Sequence, residues 1–476
     1  MSDLQAGALP QRIHMIGIGG SGLSAIARVL AARGHVVSGS DVRDSAILRE
    51  LSAWGIRTFI GHAAEQVNGA ELVVISSAIP EGNPEIQAAQ RAGIPVIKRA
   101  PLLGKIMAGS YGIAIAGTHG KTTTAAMISV ILERLGLSPT FIVGGIIAEL
   151  GTNAQAGAGQ HFVIEADEYD RTFYGLEPRI AAITNIEMDH PDCYRDIEEL
   201  RAAFGVFLDR VSRDGHIVAC ADSPELMRLL GARDWAAPHI VTYGQALTSI
   251  DRRANQDLSP TAQFVVKNIA PNARGGVDFQ VYQGSSVWEQ CSLAIPGAHN
   301  ALNATAALIV ADLLGLERRG TVQALAGFRG ALRRFELKGE HAGVLVIDDY
   351  AHHPTQVRAT LAAARQRYPG RRIWAVFQPH TFSRTRALLG ELATCFGAAD
   401  EVIITDVYAA RAHERAIISP EELASVIQHS RVQHIGTVDD VVSYLLGRLR
   451  EGDVLLTLGA GDEYLIGERV LALLAR

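Results

Sequence analysis

Residues 113–124 read Ile-Ala-Ile-Ala-Gly-Thr-His-Gly-Lys-Thr-Thr-Thr, and this stretch decides the fold class. The apolar run Ile113–Ala116 reads as a buried strand, Gly117–Thr122 as a tight loop, and the apolar-periodic residues from Thr123 to Leu135 as a helix. Glycines let backbone N–H groups approach an anion, and a helix N-terminus favours negative charge. Lys121 has the reach for β- and γ-phosphates, and the Thr122 hydroxyl suits Mg²⁺. A full-length phosphate loop would have glycine at position 115, where this chain has Ile115, so the loop is a shortened one. A bare Gly-Lys-Thr can arise by chance; its place between a strand and a helix gives it weight. We read Gly117, Thr118, His119, Gly120, Lys121, Thr122 and Thr123 as an ATP site.

Working downstream, the run Phe162–Ile164 ends in Glu165, followed by Asp167, Glu168 and Asp170. A phosphate site needs a divalent cation, and Mg²⁺ takes oxygen ligands, commonly one or two carboxylates. Glu165, first off the strand, is the best ligand candidate; for the other three a solvated acidic loop is the plainer reading. The next strand, Ile180–Thr184, runs into Asn185 and then His190. A lone histidine is more often structural, but strand carboxyl ends are where open α/β sheets bind ligands, so His190 is kept as a second metal candidate.

Working upstream, strand Ile13–Ile16 is followed by Gly17-Ile18-Gly19-Gly20-Ser21-Gly22 and a helix over Gly22–Arg33. Asp41 lies at the end of a second strand that starts at His35. Taken alone this predicts a dinucleotide fold and an NAD-dependent oxidoreductase. Any pyrophosphate can use the same geometry, however, including that of a UDP-sugar, and a purely structural strand-to-helix turn is the plain alternative.

The remaining pattern extends this alternation. Leu72–Ile75 and Val96–Ile97 complete a first βαβ series. The stretch 212–295, with runs at Thr261–Val266 and Asp278–Tyr282, reads as antiparallel strands, and a helix carrying His299–Asn303 follows. A third series has strands at Val344–Ile347, Ile373–Phe377, Val402–Thr405 and Val454–Leu458. The fold class is therefore α/β with three domains: a Rossmann-like domain over 1–104, a central P-loop domain with an antiparallel portion over 105–330, and a Rossmann-like C-terminal domain over 331–476. A chain of 476 residues exceeds what one hydrophobic core supports.

Composition narrows the function. A net charge of −6 gives no basic footprint for nucleic acid. No apolar run approaches the ~20 residues of a membrane helix, and the amino terminus lacks a signal-peptide pattern. Cys193, Cys220, Cys291 and Cys395 are scattered without metal-type spacing, which suits a cytoplasmic protein. Lysine is scarce: only Lys98, Lys105, Lys121, Lys267 and Lys338 occur. Where an arginine-preferring chain uses lysine, the compact ammonium matters, which adds weight to Lys121. Monomer and homodimer are both left open.

Eight ordered segments then carry a resemblance: HMIGIGGSGLSAIA, GTHGKTTT, EADEYDRTF, TNIEMDHPDCY, PGAHNALNA, RRFE, DDYAHHP and FQPHTFSRT, spread from residue 14 to 385. Together they resemble the Mur ligase family, which shares a shortened Gly-Thr-(Asn/His)-Gly-Lys-Thr-(Thr/Ser) loop, and within it the alanine-adding branch. The resemblance implies that Gly19, Gly20, Ser21 and Gly22 hold the UDP of UDP-N-acetylmuramate, with Asp41, His62, Ser76, Ser77 and Ala78 nearby. It implies Lys121 on the ATP phosphates and Thr122, Glu165 and His190 as Mg²⁺ ligands. Asn300 and Asn303 would meet the adenine, Arg334, Asp349 and Tyr350 the nucleotide, and His352, His380 and Arg384 the carboxylate, phosphate or amino acid. Some relatives use a carbamylated lysine near the metal; none lies between Lys121 and Lys267, as expected of the alanine-adding branch. Where some members of that branch have an arginine in the FQPH segment, this chain has Thr381, which shifts the expected anion contact to Arg384.

The implied reaction is ATP-dependent attachment of L-alanine to the lactyl carboxylate through an acyl phosphate, a step of peptidoglycan precursor synthesis, with Lys121, His352 and Arg384 as the catalytic candidates. His352 is the candidate base, although a histidine beside His353-Pro354 also reads as a turn residue. Three rivals stay open: a ligase attaching a whole murein peptide during wall recycling, an NAD-dependent oxidoreductase, and a non-catalytic nucleotide-binding regulator.

Overall fold

The computed structural model describes residues 9–233, 235, 237–245, 262–409 and 415–476. Residues 1–8 of the amino terminus and Thr261 therefore lie outside the described residues. Contacts divide the chain into two compact units, the first comprising 1–186, 201–242 and 306–321, the second 187–200, 243–305 and 322–476.

In the first unit, five strands form a wholly parallel sheet in the order Arg57–Ile60, Val36–Asp41, Arg12–Ile16, Leu72–Ile75 and Val96–Lys98. Ile16, Val73 and Ile86 are buried together on one side of it. The second strand runs to Asp41, beyond the Ser38 expected from the apolar run, because Gly39 and Ser40 continue the ladder opposite Met15 and Ile16. A second sheet of this unit is built around Tyr111–Ala116, which pairs parallel with both His161–Glu165 and Ile180–Ile183. The helix after the phosphate-type loop spans Lys121–Arg134. It starts two residues earlier than the sequence pattern suggested, because Gly120, at φ +83°, turns the chain so that Lys121 is already helical.

The stretch after residue 212 needs correction. His216–Cys220 pairs parallel with Ile180–Ile183 and is followed by helix Pro224–Gly231, so the parallel series continues here. Among the described residues of 212–295, antiparallel pairing is confined to Phe264–Pro271, Val277–Gln283 and Ser286–Ser292, a ribbon of the second unit. His216–Cys220 is buried from its second residue onward, the unbroken apolar run that a parallel strand covered on both faces shows.

The second unit also holds a sheet in the order Glu336–His341, Val344–Asp349, Val454–Leu458, Ile373–Phe377, Glu401–Ile404 and Val432–His434, parallel except at its first edge. Ile347, Ala375 and Leu456 face one buried layer, whereas Val346, Trp374 and Leu455 face the other. Burial on both faces explains why these strands read as unbroken apolar runs.

Candidate active site

In each parallel sheet the predicted residues gather at strand carboxyl ends. Gly17 leaves strand Arg12–Ile16 at φ +84°, and a Cβ there would stand 3.0 Å from the Ser76 Cβ, so the loop and the Ser76–Ala78 turn share a space that requires glycine. The Gly19 amide donates to Asp41 Oδ2 at 3.0 Å, so Asp41 pins the loop from the neighbouring strand end. The Ser77 hydroxyl donates to Asp170 Oδ2 at 2.6 Å. His62 Nδ1 lies 2.9 Å from Glu85 Oε1 and 3.0 Å from Ser40 Oγ. Glu85 is fully buried and also meets His14 Nε2 at 2.8 Å. Burial opposes its charge, but the hydrogen bonds from His14, Ser40 and His62 prevail and its pKa is lowered. Sequence reading found His62 but not the Glu85 that orients it.

The second loop is held more rigidly. The Thr118 amide donates to the Asn185 carbonyl at 3.0 Å and the His119 amide to Asn185 Oδ1 at 2.9 Å; the Thr184 hydroxyl donates to the His119 carbonyl at 2.5 Å. With Thr118 and His119 committed to this strand end, the donors available to a phosphate come from the first turn of helix Lys121–Arg134, where α-helices leave amides without intrahelical partners. Lys121 Nζ donates to the Gly117 carbonyl at 2.6 Å and to both oxygens of Glu168 at 2.9 and 2.8 Å. Glu168 is 1% exposed. The solvated-loop reading therefore fails for Glu168, which is the buried counter-ion of Lys121. Burial disfavours the Lys121 ammonium, but Glu168, Asp167 and Glu165 outweigh it and raise its pKa. Asp167 and Asp170 are ion-paired as well, with Arg99 and Lys98 at 2.9 and 3.0 Å. The chain reaches these positions through a turn in which Asp170 and Arg171 sit at φ +50° and +52°, which no local sequence signal announces.

The Thr122 hydroxyl lies 3.1 and 3.0 Å from the two oxygens of Glu165, and Glu165 also accepts the Gly144 amide at 2.6 Å. Adjacent oxygen donors of this kind fit Mg²⁺.

The second unit gathers the other predicted residues. Asn300 Nδ2 donates to the Pro296 carbonyl at 2.7 Å, and Asn303 Nδ2 to Asn300 Oδ1 at 3.2 Å, an amide chain with fixed orientation. The Arg334 guanidinium stands 5.2 Å from the Tyr350 ring centre. Asp349 is buried, accepts the Phe335 and Ala351 amides at 2.8 Å each, and is pushed up to about 6 by burial.

Arg384 organises the rest. Its Nε donates to Asp189 Oδ1 at 2.6 Å, its Nη1 to His380 Nδ1 at 2.9 Å and its Nη2 to His190 Nδ1 at 3.3 Å. Burial penalises the Asp189 carboxylate, yet the Arg384 guanidinium holds its pKa well below the usual range. His190 is thus engaged through Nδ1 by the Arg384 guanidinium. Thr381, at φ +64°, caps the helix bearing Arg384 by accepting its amide at 3.3 Å. His352 Nδ1 lies 2.9 Å from the Tyr350 carbonyl and must donate to it, which leaves Nε2 as a lone pair. Burial and then Arg384 hold its pKa well below the ordinary histidine value, so it is neutral at pH 7. The turn role belongs instead to His353, which caps helix Pro354–Arg367 by accepting the Thr355 amide at 3.3 Å. Asp189 was missed by sequence reading.

Three family models cover most of the chain: "Mur ligase family, catalytic domain" over 12–111, "Mur ligase middle domain" over 115–311 and "Mur ligase, glutamate ligase domain" over 333–461. A curated UDP-N-acetylmuramate–L-alanine ligase from Caldanaerobacter subterraneus subsp. tengcongensis is 42% identical over 464 residues, 97% of either chain. Among solved structures, a UDP-N-acetylmuramate–alanine ligase from Thermotoga maritima matches with TM-score 0.79 at 27% identity, covering 97% of this chain and 98% of that one. A murein peptide ligase from Psychrobacter arcticus matches with TM-score 0.72 at 25% identity, covering 98% and 99%.

Proposed function

The chain belongs to the Mur ligase family, and on that premise we propose that it uses ATP to join L-alanine to the lactyl carboxylate of UDP-N-acetylmuramate, in peptidoglycan precursor synthesis. The observation that carries this reading is Lys121, seated in a phosphate-type loop beside the oxygen pair Thr122 and Glu165, in a chain that matches an alanine-adding relative over 97% of its length. The murein peptide alternative is not favoured: relatives 41–42% identical over 97% of the chain are alanine-adding ligases, and the murein peptide ligase structures match with lower TM-scores. The oxidoreductase reading falls with the family assignment: the pyrophosphate at Gly17–Gly22 belongs to UDP.

We assign UDP-substrate binding to residues 1–104, ATP to 105–330 and the amino acid to 331–476. A carboxylate resists amide formation because oxide is a poor leaving group; phosphorylation by ATP converts it to an acyl phosphate that an amine can attack. Lys121 neutralises charge on the phosphates while the first-turn amides hold them. Thr122 and Glu165 would hold Mg²⁺, with His190 the further ligand that the family resemblance implies, and the ion would supply further neutralisation of phosphate charge. Asn300 and Asn303 fix the adenine, with Arg334, Asp349 and Tyr350 along the nucleotide. Arg384, positioned by Asp189, receives the transferred phosphoryl or the substrate carboxylate, and His380 is held beside it. His352, neutral and with Nε2 open, takes a proton from the alanine ammonium. ATP and nucleotide-linked sugars are cytoplasmic metabolites, so we place the enzyme there; no helix among the described residues is long and apolar enough to cross a membrane.

The test is phosphate release with ATP, Mg²⁺ and UDP-N-acetylmuramate, with and without L-alanine. Full turnover is expected only with alanine, and a tripeptide in its place should support little. Absence of ADP with all four components present overturns the reading.

A further inference from the structure

We propose that Arg99 is a substrate-binding residue: its guanidinium, standing over the first glycine loop at Gly22, grips the diphosphate of the UDP-linked substrate. The proposal rests on the assignment of UDP to the loop Gly17–Gly22 and names a residue that the loop motif does not contain.

Three observations converge. Arg99 opens helix Arg99–Met107, directly after the edge strand Val96–Lys98. Its Nη2 donates to Asp167 Oδ2 and to Thr172 Oγ1, each at 2.9 Å, whereas Nη1 and Nε make no hydrogen bond among the described residues. A quarter of the side chain, 24%, remains open to solvent. One terminal nitrogen is thus anchored, and the other, Nη1, keeps its N–H groups to offer. Nη1 faces the loop: a Cβ built on Gly22 would stand 2.5 Å from it, so a side chain at position 22 and the guanidinium could not both keep these places.

Gly22 itself has ordinary helical torsions, unlike Gly17 at φ +84°. Glycine at position 22 therefore leaves the guanidinium its place above the loop and answers to no backbone torsion. A turn that brings amides and a helix N-terminus to a pyrophosphate has room here for a cation as well, and a guanidinium Nη1 can make charge-assisted hydrogen bonds to phosphate oxygens. Its anchor is also informative. Asp167 is adjacent to Glu168, the carboxylate that holds Lys121, so one acidic turn fixes both the cation above the first loop and the cation within the second.

Calorimetry on the full chain with UDP and with uridine separates a diphosphate ligand from a packing role. Wild-type protein should bind UDP more tightly than uridine. Arg99→Ala should weaken UDP by about tenfold to a hundredfold, the range for losing charge-assisted hydrogen bonds, and leave uridine within about twofold. Gly22→Ala, by displacing the guanidinium, should imitate that loss. In the Arg99→Ala background it should add no more than about twofold, because residues acting through one contact are not additive. Circular dichroism and melting temperature report that each variant is folded. Equal losses for UDP and uridine in Arg99→Ala, or full additivity of the two substitutions, overturn the proposal. A wild-type protein that does not distinguish UDP from uridine overturns the loop assignment itself, and the arginine's role with it.

Discussion

The two glycine turns of the first unit, Gly17–Gly22 and Gly117–Thr122, begin from one backbone device and end in different chemistry. Each leaves the carboxyl end of a parallel strand, turns on a glycine with positive φ, and feeds a helix. In the first, the loop brings no cation of its own; Asp41 pins it through the Gly19 amide, and Arg99 reaches over it from another helix. In the second, the cation is built into the loop, and the buried Glu168 holds it in place before any ligand arrives. A glycine turn therefore specifies an anion, and the charges that converge on it decide which anion and what is done to it. On the function proposed here, the first turn would hold a diphosphate unchanged, and the second would neutralise a phosphoryl group while it is transferred.

The largest effect should come from removing the built-in cation. Lys121→Ala should lower alanine-dependent phosphate release by at least about a thousandfold, the scale on which preorganised charge stabilises a transition state. UDP affinity should stay within about twofold, since none of the contacts recorded for Lys121 reaches the first loop. Loss of UDP binding in this variant would mean that the two turns serve one ligand, and the contrast between them would collapse.

Stability should separate the turns next. Lys121 and Glu168 are 12% and 1% exposed, and breaking a buried pair leaves an uncompensated charge, which costs about 3–5 kcal/mol. Lys121→Met alone should therefore unfold at lower denaturant concentration, whereas the double variant Lys121→Met/Glu168→Gln should recover most of that stability and none of the activity. Arg99→Ala, at a more open pair, should change stability by no more than about 1 kcal/mol. Urea titrations of the set decide it; a double variant no more stable than the single one would show that Glu168 is not held there by Lys121.

These contrasts also mark how far the sequence could be read. The strand-turn-helix punctuation located both loops, and the residue class at each strand end located Lys121, Thr122 and Glu165, because those signals are local and periodic. Glu168 was hidden because its burial depends on a turn through two left-handed residues, Asp170 and Arg171, and charge in an acidic run reads as solvated by default. Arg99 and Gly22 are distant in sequence, and only the packed fold places one over the other. The Glu85 and Asp189 carboxylates were missed for the same reason: each acts on a histidine or arginine that a motif names, from a position that no motif includes. The antiparallel reading of residues 212–245 failed differently: the alternation that prompted it lies downstream, in Phe264–Pro271 and Val277–Gln283, whereas His216–Cys220 is an unbroken buried run of the kind a parallel sheet uses.

The smallest predicted effect tests whether the first turn is held by its acid as the second is held by Glu168. Asp41→Ala removes the acceptor of one backbone amide, a hydrogen bond worth about 1 kcal/mol at a partly exposed site, so UDP affinity should fall by about fivefold. ATP-side kinetics should not move. The direction matters more than the size. If Asp41 also carried the ribose contact of a dinucleotide fold, its loss would weaken uridine as strongly as UDP. If it only fixes the loop, UDP should suffer more than uridine, because the diphosphate is the part of the ligand that the Gly19 amide and its neighbours address. Calorimetry with the two ligands on one variant distinguishes these outcomes. Equal weakening would return Asp41 to the role that a nucleotide-binding strand end normally gives an acid and leave Arg99 as the feature that sets this loop apart.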